Sequence, residues 1–193
     1  RLKEVYGIQW FEETGPKYKI EIALLKDIAT LTIDTSGPGL HKRGYRKLAG
    51  EAPLKETLAA AMINLSYWKD ERALIDPCCG TGTIPIEAAF IGLNRAPGLK
   101  RSFVAETWPN IAKQYWKTAR EEANDLYKRD QKLYIYGSDI DNKALQLARI
   151  HTDDAGLTDK IFFQRLPASE VRSRFQYGHL ITNPPYGERL GEQ

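Results

Sequence analysis

Asn183, Pro184, Pro185 and Tyr186 follow the apolar pair Leu180–Ile181 and combine an amide, two rigid imino acids and an aromatic ring. Two prolines in succession donate no ladder hydrogen bond, so a strand must stop at about Asn183 and leave a stiff loop with free carbonyls. The side-chain oxygen of Asn183 and the carbonyl of Pro184 can both accept from one exocyclic –NH2 group. Holding both N–H bonds draws the nitrogen lone pair out of conjugation with its ring and aims it at an electrophile. Asn is neutral, so it does this without burying a charge. Tyr186 offers a face on which a base can stack. A strand exit with no chemical role would use the same residues.

A second stretch, Asp76-Pro77-Cys78-Cys79-Gly80-Thr81-Gly82-Thr83, lies between an apolar run and a helical one. Gly80 and Gly82 permit a tight turn and close backbone approach by a ligand at a helix N-terminus. No Gly-Lys-Ser/Thr follows, which excludes a Walker loop, and Pro85 stands where a dinucleotide fingerprint needs its third glycine. Asp76 is an anion placed before the glycines. It would repel a pyrophosphate and would welcome an α-amino or sulfonium group. A simple strand-to-helix turn is the competing explanation. Asp139, in "YGSDID", ends the next strand and is placed to hold a ribose diol, with Ile140 beside it; Asp141 and Asn142 read as caps of the following helix. A third strand end, "FFQRLPAS", has no carboxylate before Glu170, so an adenine would be read by backbone groups near Leu166 to Ala168, or by Gln164.

The elements that must position these residues alternate. "ALID", "LYIYGSD", "KIFFQ" and "GHLIT" read as strands, and "TIPIEAAFIGL" and "NKALQLARIHTDDAG" as helices, the latter closed by Gly156. Alternation of this kind predicts an α/β fold, a Rossmann-like parallel sheet with helices on both faces. A helix is predicted over "PLKETLAAAMINLSYW", with Leu54, Leu58, Ala61, Met62 and Leu65 on one face. Residues 94–131 interrupt the rhythm and hold a helix from Pro109 onward. Upstream, "EVYGIQWF", "KYKIEIALL" and "ATLTID" read as strands. The expected organisation is a β-rich segment over 1–35, a basic connector over 36–52 and the α/β domain over 53–193.

Composition is that of a soluble globular protein: 193 residues, 42% hydrophobic, 27% charged, net charge +3. A mildly basic balance permits a nucleic-acid partner without demanding one. Lys42, Arg43, Arg46 and Lys47 in the connector, and Lys100 and Arg101 in the insertion, are candidate phosphate contacts, with Arg189 a minor one; a solvated linker is the alternative for the first group. Two adjacent cysteines make neither a disulfide framework nor a zinc site, and no metal is expected. His41, His151 and His179 show no ligand-like spacing. No transmembrane run or signal-peptide pattern is visible, so a cytoplasmic location is expected.

"DPCCGTGT", "GSDID" and "NPPYG", in this order, resemble the class I S-adenosylmethionine-dependent methyltransferases that modify exocyclic nitrogens. "TSGPGLHKRGYR", "PLKETLAAAMI", "APGLKRSFVAETWP" and "NPPYGERLG" look more specifically like the THUMP-associated ribosomal RNA guanine-N2 methyltransferases. Members of that group are often labelled N6-adenine-specific DNA methylases on the strength of NPPY alone. The resemblance covers roughly residues 35–193. It implies S-adenosylmethionine as cofactor, held by Asp76, Pro77, Gly80, Thr81, Gly82, Asp139, Ile140 and Asn183. It also implies ribosomal RNA as partner, with Asn183, Pro184, Pro185 and Tyr186 holding the target base. Family members continue with further strands after the NPPY loop, so a piece of a longer chain is expected here. The same residues allow an adenine-N6 methyltransferase acting on DNA or RNA, and a non-catalytic RNA-binding fragment is a third reading. The intact motifs argue against the last.

Overall fold

In the computed structural model, residues 1–10, 12–46 and 54–185 are described. The chain divides into two units, residues 1–38 with 102–117, and residues 39–101 with 118–193.

The smaller unit is built on a hairpin. β1 (Lys19–Leu25) and β2 (Ile28–Asp34) pair antiparallel, Ile22 opposite Leu31. Lys26 and Asp27 join them with φ of 50° and 62°, the twist that suits a two-residue hairpin turn. Ile20, Ile22, Leu24, Leu31 and Ile33 line one face by alternation. "EVYGIQWF" is not the strand expected. It enters a short helix, α1 (Leu2–Tyr6), which Gly7 ends in the left-handed region with its N–H donated to the Lys3 carbonyl at 2.9 Å. Part of the insertion belongs to this unit. Trp108 stacks on Tyr18 at 4.7 Å between centroids and donates its indole N–H to the Lys17 carbonyl at 2.9 Å. Phe103 stacks on Trp116. The helix expected from Pro109 starts four residues later, as α4 (Lys113–Asp125), which has no buried residue and belongs to this unit only as far as Lys117.

The larger unit holds a parallel four-stranded sheet in the order β5-β4-β3-β6: β5 (Ile161–Arg165), β4 (Ile135–Asp139), β3 (Leu74–Asp76) and β6 (His179–Leu180). In sequence order this is 3-2-1-4, a parallel sheet as the α/β alternation predicts. Leu74, Ile135 and Ile161 stand side by side on the face that buries α3 (Thr83–Gly92). Apart from Thr83 and Glu87, α3 is apolar, and nearly every residue in it is buried, as befits a central helix. Pro85 is tolerated because it falls in the first turn, where no backbone donor is needed. α5 (Asn142–Ala155) starts on Asp141, whose carboxylate accepts the Lys143 N–H at 2.8 Å, and ends on Gly156 at φ 70°. Both caps match the sequence expectation.

α2 (Glu56–Leu65) corrects it. Leu58 and Leu65 are exposed, and the buried face is Glu56, Ala59 and Ile63. Ala59 is small enough to let α2 lie close to α3, and Glu56 is buried because a cation meets it: Arg46 Nη1 stands 3.3 Å from its carboxylate. Three residues of the connector, Arg43, Tyr45 and Arg46, are therefore packed into the fold. Arg43 pairs with Glu87 of α3 at 3.3 Å, and the two side chains are only 12% and 2% exposed. Tyr45 donates its hydroxyl to the same carboxylate at 3.3 Å. Burial pushes Glu87 up to about 7, against the pull of Arg43.

Removing one partner of a buried ion pair typically costs about 3–5 kcal/mol, because the other charge is left uncompensated. Arg43→Ala is expected to lose stability on that scale. A raised carboxyl pKa means the folded state binds the proton more tightly than the unfolded one, so stability falls as pH rises from the ordinary carboxylate range through the folded value. The penalty in Arg43→Ala should accordingly be larger at pH 8 than at pH 6, where protonation relieves the orphaned charge. Urea unfolding at the two pH values measures it.

Candidate active site

Every strand of a parallel sheet points its carboxyl end the same way, and here the ends of β3, β4 and β6 carry the polar residues. β3 ends on Asp76, which is 1% exposed. One carboxylate oxygen, Oδ1, accepts the Cys78 N–H at 3.2 Å and the Thr182 hydroxyl at 2.6 Å. Among the described residues no protein donor meets the other. Burial pushes Asp76 up to about 7, opposed by the two hydrogen bonds and helped by the nearby Asp139 charge.

The turn after Asp76 is fixed at each step. Cys79 donates its N–H to the Ser138 carbonyl at 2.9 Å, and Gly82 returns to the Cys79 carbonyl at 2.9 Å. Gly80 donates its N–H to Asp139 Oδ2 at 2.8 Å. The Thr81 carbonyl lies 3.2 Å from Nδ1 of the buried His151, and Arg46 donates to the Thr83 hydroxyl. The two glycines have different reasons to be glycine. Gly80, at φ 52°, faces open space: an added Cβ would meet nothing within 4 Å. Gly82, at φ 84°, is packed, and its Cβ would fall 3.1 Å from the Ala148 Cβ and 3.2 Å from the Phe163 ring. The sequence reading gave both to ligand approach. The Cβ side of Gly80 is open to a ligand, while the missing Cβ of Gly82 lets the turn lie close to α5 and β5.

Asp139 joins the loop to the end of β4. Its second oxygen, Oδ1, accepts the Asp141 N–H at 2.9 Å. A carboxylate offers about four lone-pair sites, so two remain for further donors. Beside it Ile140 is exposed, and its carbonyl accepts Arg165 Nε at 3.0 Å. Leu166 gives its N–H to the Asp139 carbonyl at 3.1 Å and Pro167 has none, which leaves the Ala168 N–H as the backbone donor of that stretch. Pro77 is buried, and burial holds the Cys78 and Cys79 thiols above their ordinary values, so neither is a nucleophile at neutral pH.

β6 lies directly against β3, Leu180 opposite Ile75, with the Ile181 N–H on the Ile75 carbonyl at 3.0 Å. This register brings Thr182 to Asp76 and sets Asn183 one residue beyond. Asn183 is half-buried, with no hydrogen-bond partner for its side chain among the described residues, and Pro184 and Pro185 are exposed. Tyr186 and Arg189 fall outside the described residues, as does Lys47.

The basic candidates separate. Arg43 and Arg46, read from sequence as phosphate contacts, are turned into the fold by Glu87 and Glu56, a correction that the acidic partners on α3 and α2 explain. Lys100 reaches the Asp154 carbonyl at 3.1 Å but stays exposed, Arg101 reaches the Gly39 carbonyl at 3.1 Å, and Lys42 is exposed. Thr182 and His151 went unnoticed as site residues in the sequence. Their roles come from strand register and helix packing, which have no local signal.

A parallel sheet in this order, with a glycine turn and acidic strand ends on its carboxyl edge, is the class I methyltransferase fold. Residues 43–193 match the family model UPF0020, the RMKL-like methyltransferase domain, and the chain belongs to that family. It is 51% identical, over its whole length and 50% of the relative's, to the protein named "Putative RNA methyltransferase YpsC" from Bacillus subtilis. It is 42% identical, over 91% of its own length and 25% of the relative's, to "Ribosomal RNA large subunit methyltransferase K/L" from Shewanella baltica. A solved structure from Listeria monocytogenes, described as a "predicted N6-adenine-specific DNA methylase", superposes with a TM-score of 0.91 at 51% identity, covering 98% of this chain and 50% of that one. Another, SMU.472, "a putative methyltransferase complexed with SAH", gives 0.90 at 42% identity over 99% and 51%. The chain thus spans at most about half the length of these proteins.

Proposed function

We propose that this chain carries the cofactor-binding and target-base elements of an S-adenosylmethionine-dependent methyltransferase acting on an exocyclic amino group in RNA, guanine-N2 of large-subunit ribosomal RNA. The observation that carries the proposal is the Thr182–Asp76 hydrogen bond, which seats the Asn183-Pro184-Pro185 loop against the glycine turn on one sheet edge. The names of the relatives, one an RNA and one a ribosomal RNA methyltransferase, and the SAH bound in a related structure support it.

The residues present suit the cofactor. Asp76 keeps one oxygen for an α-ammonium or sulfonium, and an arriving cation would favour its ionised form. Gly80 leaves space beside the turn, Thr81 and Pro77 complete it, and Asp139 has lone pairs left for a ribose diol. Ile140 covers the adenine and the Ala168 N–H reads its edge. When bound, S-adenosylmethionine supplies a methyl group activated by positive sulfur. The chain's own part is to present the nucleophile. The Asn183 amide oxygen and the Pro184 carbonyl accept the two N–H bonds of the amine, turning its lone pair toward the methyl carbon. Pro185 keeps the loop rigid and Tyr186 stacks on the base. Transfer would break the sulfur–methyl bond as the nitrogen–methyl bond forms, the electron pair staying with the thioether that leaves. The amine's proton would then pass to water, so the neutral acceptors at Asn183 and Pro184 would suffice without a strong base.

Among the described candidates, Lys42 and Lys100 are exposed and placed to meet phosphate, with Arg101 a weaker one. Adenine-N6 methylation is the second reading, favoured by the Asn-Pro-Pro-Tyr loop itself and by the description of the Listeria structure. Transfer of labelled methyl from S-adenosylmethionine to unmodified ribosomal RNA by the full-length protein tests the reading. No transfer to any nucleic acid from a protein that binds the cofactor would overturn it. Asp139→Ala is expected to weaken cofactor binding by about 1–3 kcal/mol, the usual cost of losing hydrogen bonds to a charged group, and calorimetry measures it. Unchanged affinity would remove Asp139 from the ribose role.

A further inference from the structure

We infer that Thr182 is a positioning residue for methyl transfer, tying the carboxylate that faces the cofactor to the loop that holds the target amine. This deepens the function proposed above and rests on it.

The geometry gives one hydroxyl two consequences. Thr182 Oγ1 donates to Asp76 Oδ1 at 2.6 Å, the ordinary length of a hydrogen bond from a hydroxyl to a carboxylate. Together with the Cys78 N–H on the same oxygen, it fixes the rotation of the carboxyl group and so decides which oxygen is left for a ligand. Thr182 is also covalently joined to Asn183, two residues beyond the last β6–β3 contact, at the Ile181 N–H. A displacement of Thr182 therefore moves the amine acceptor and the cofactor carboxylate relative to each other. Methyl transfer needs donor and acceptor aligned, and misplacement by about 1 Å can cost on the order of 10²-fold. Neither Leu180, which is exposed, nor Ile181, which is buried in the apolar core, can supply this link.

The hydroxyl also bears on protonation. The titratable groups around Asp76 are Asp139 from the end of β4 and the Cys78 and Cys79 thiols on the turn. Asp139 and burial both disfavour the charged form of Asp76. The Thr182 donor favours it. Losing that donor raises the pH needed to ionise Asp76.

Thr182→Val keeps the branched shape and strand preference while removing the donor. In the full-length protein it is expected to lower cofactor affinity and kcat about 10-fold each, leave KM for RNA unchanged, and move the acid limb of the cofactor-binding pH profile upward. Thr182→Ser should restore most of both. Wild-type affinity, kcat and pH profile in Thr182→Val would overturn the inference, as would a general loss of stability with KM and kcat both damaged and no rescue by Ser. A wild-type protein that neither binds S-adenosylmethionine nor methylates RNA would overturn the functional reading itself, before any variant is made.

Discussion

Asn183→Ala will lower the methylation rate on the order of 10²–10³-fold while leaving S-adenosylmethionine affinity nearly intact. Removal of one preorganised polar group at a reacting centre has that scale of effect, because the contact counts most when charge develops. Asn183 is placed for it: half-buried, beyond the last hydrogen bond of β6, and with its amide free of partners among the described residues. Single-turnover transfer with cofactor in excess separates rate from binding. Asn183→Asp is the sharper variant, since it keeps the shape and an acceptor but adds a charge; partial activity is expected. Tyr186→Phe should be mild and Tyr186→Ala severe if the ring stacks. A wild-type rate in Asn183→Ala would reduce the loop to a strand exit.

The glycine turn yields the second large effect, and the two glycines should fail in different ways. Gly82→Val places a branched side chain where Ala148 and Phe163 already lie, in a backbone conformation that such residues avoid. Cofactor binding should be abolished together with a marked fall in thermal stability, because α5 and β5 must move away from the turn. Gly80→Ala has no protein atom in its way and carries only the strain of a left-handed residue, about 1–2 kcal/mol. It should stay folded and still bind cofactor poorly, since the added methyl occupies the open side of the turn. Calorimetry paired with thermal unfolding distinguishes them. A Gly80→Ala protein with full affinity would show that the ligand does not approach there.

Much of this was legible from residue order, and the exceptions share a cause. The strands of the sheet and the caps of α5 follow from local signals: apolar runs, Asp141 before a helical period, Gly156 after it. The glycine turn and the NPPY loop were visible as chemistry before any fold. What was not visible depended on partners distant in sequence. Arg43 and Arg46 read as a basic patch, because nothing near them shows that Glu87 and Glu56 wait inside the fold. Gly82 read as room for a ligand because its neighbours Ala148 and Phe163 lie beyond the next helix and strand. α2 presented two apolar stripes, and the one holding Ala59 won because a small residue lets α3 approach. "EVYGIQWF" had strand composition, yet Gly7 is placed to stop a turn of helix. Trp108 and Trp116 of the insertion are engaged in ring packing with Tyr18 and Phe103, partners that no local pattern names.

The central claim is that the Asn183 loop presents a base amine of RNA to the cofactor held at the glycine turn. Its most direct test is to identify the methylated nucleoside. The full-length protein is incubated with methyl-labelled S-adenosylmethionine and either unmodified large-subunit ribosomal RNA or duplex DNA, and each product is digested to nucleosides. The account predicts label in N2-methylguanosine from RNA and none from DNA. Label in N6-methyladenine from DNA, or on a base carbon or a ribose oxygen of the RNA, would contradict it.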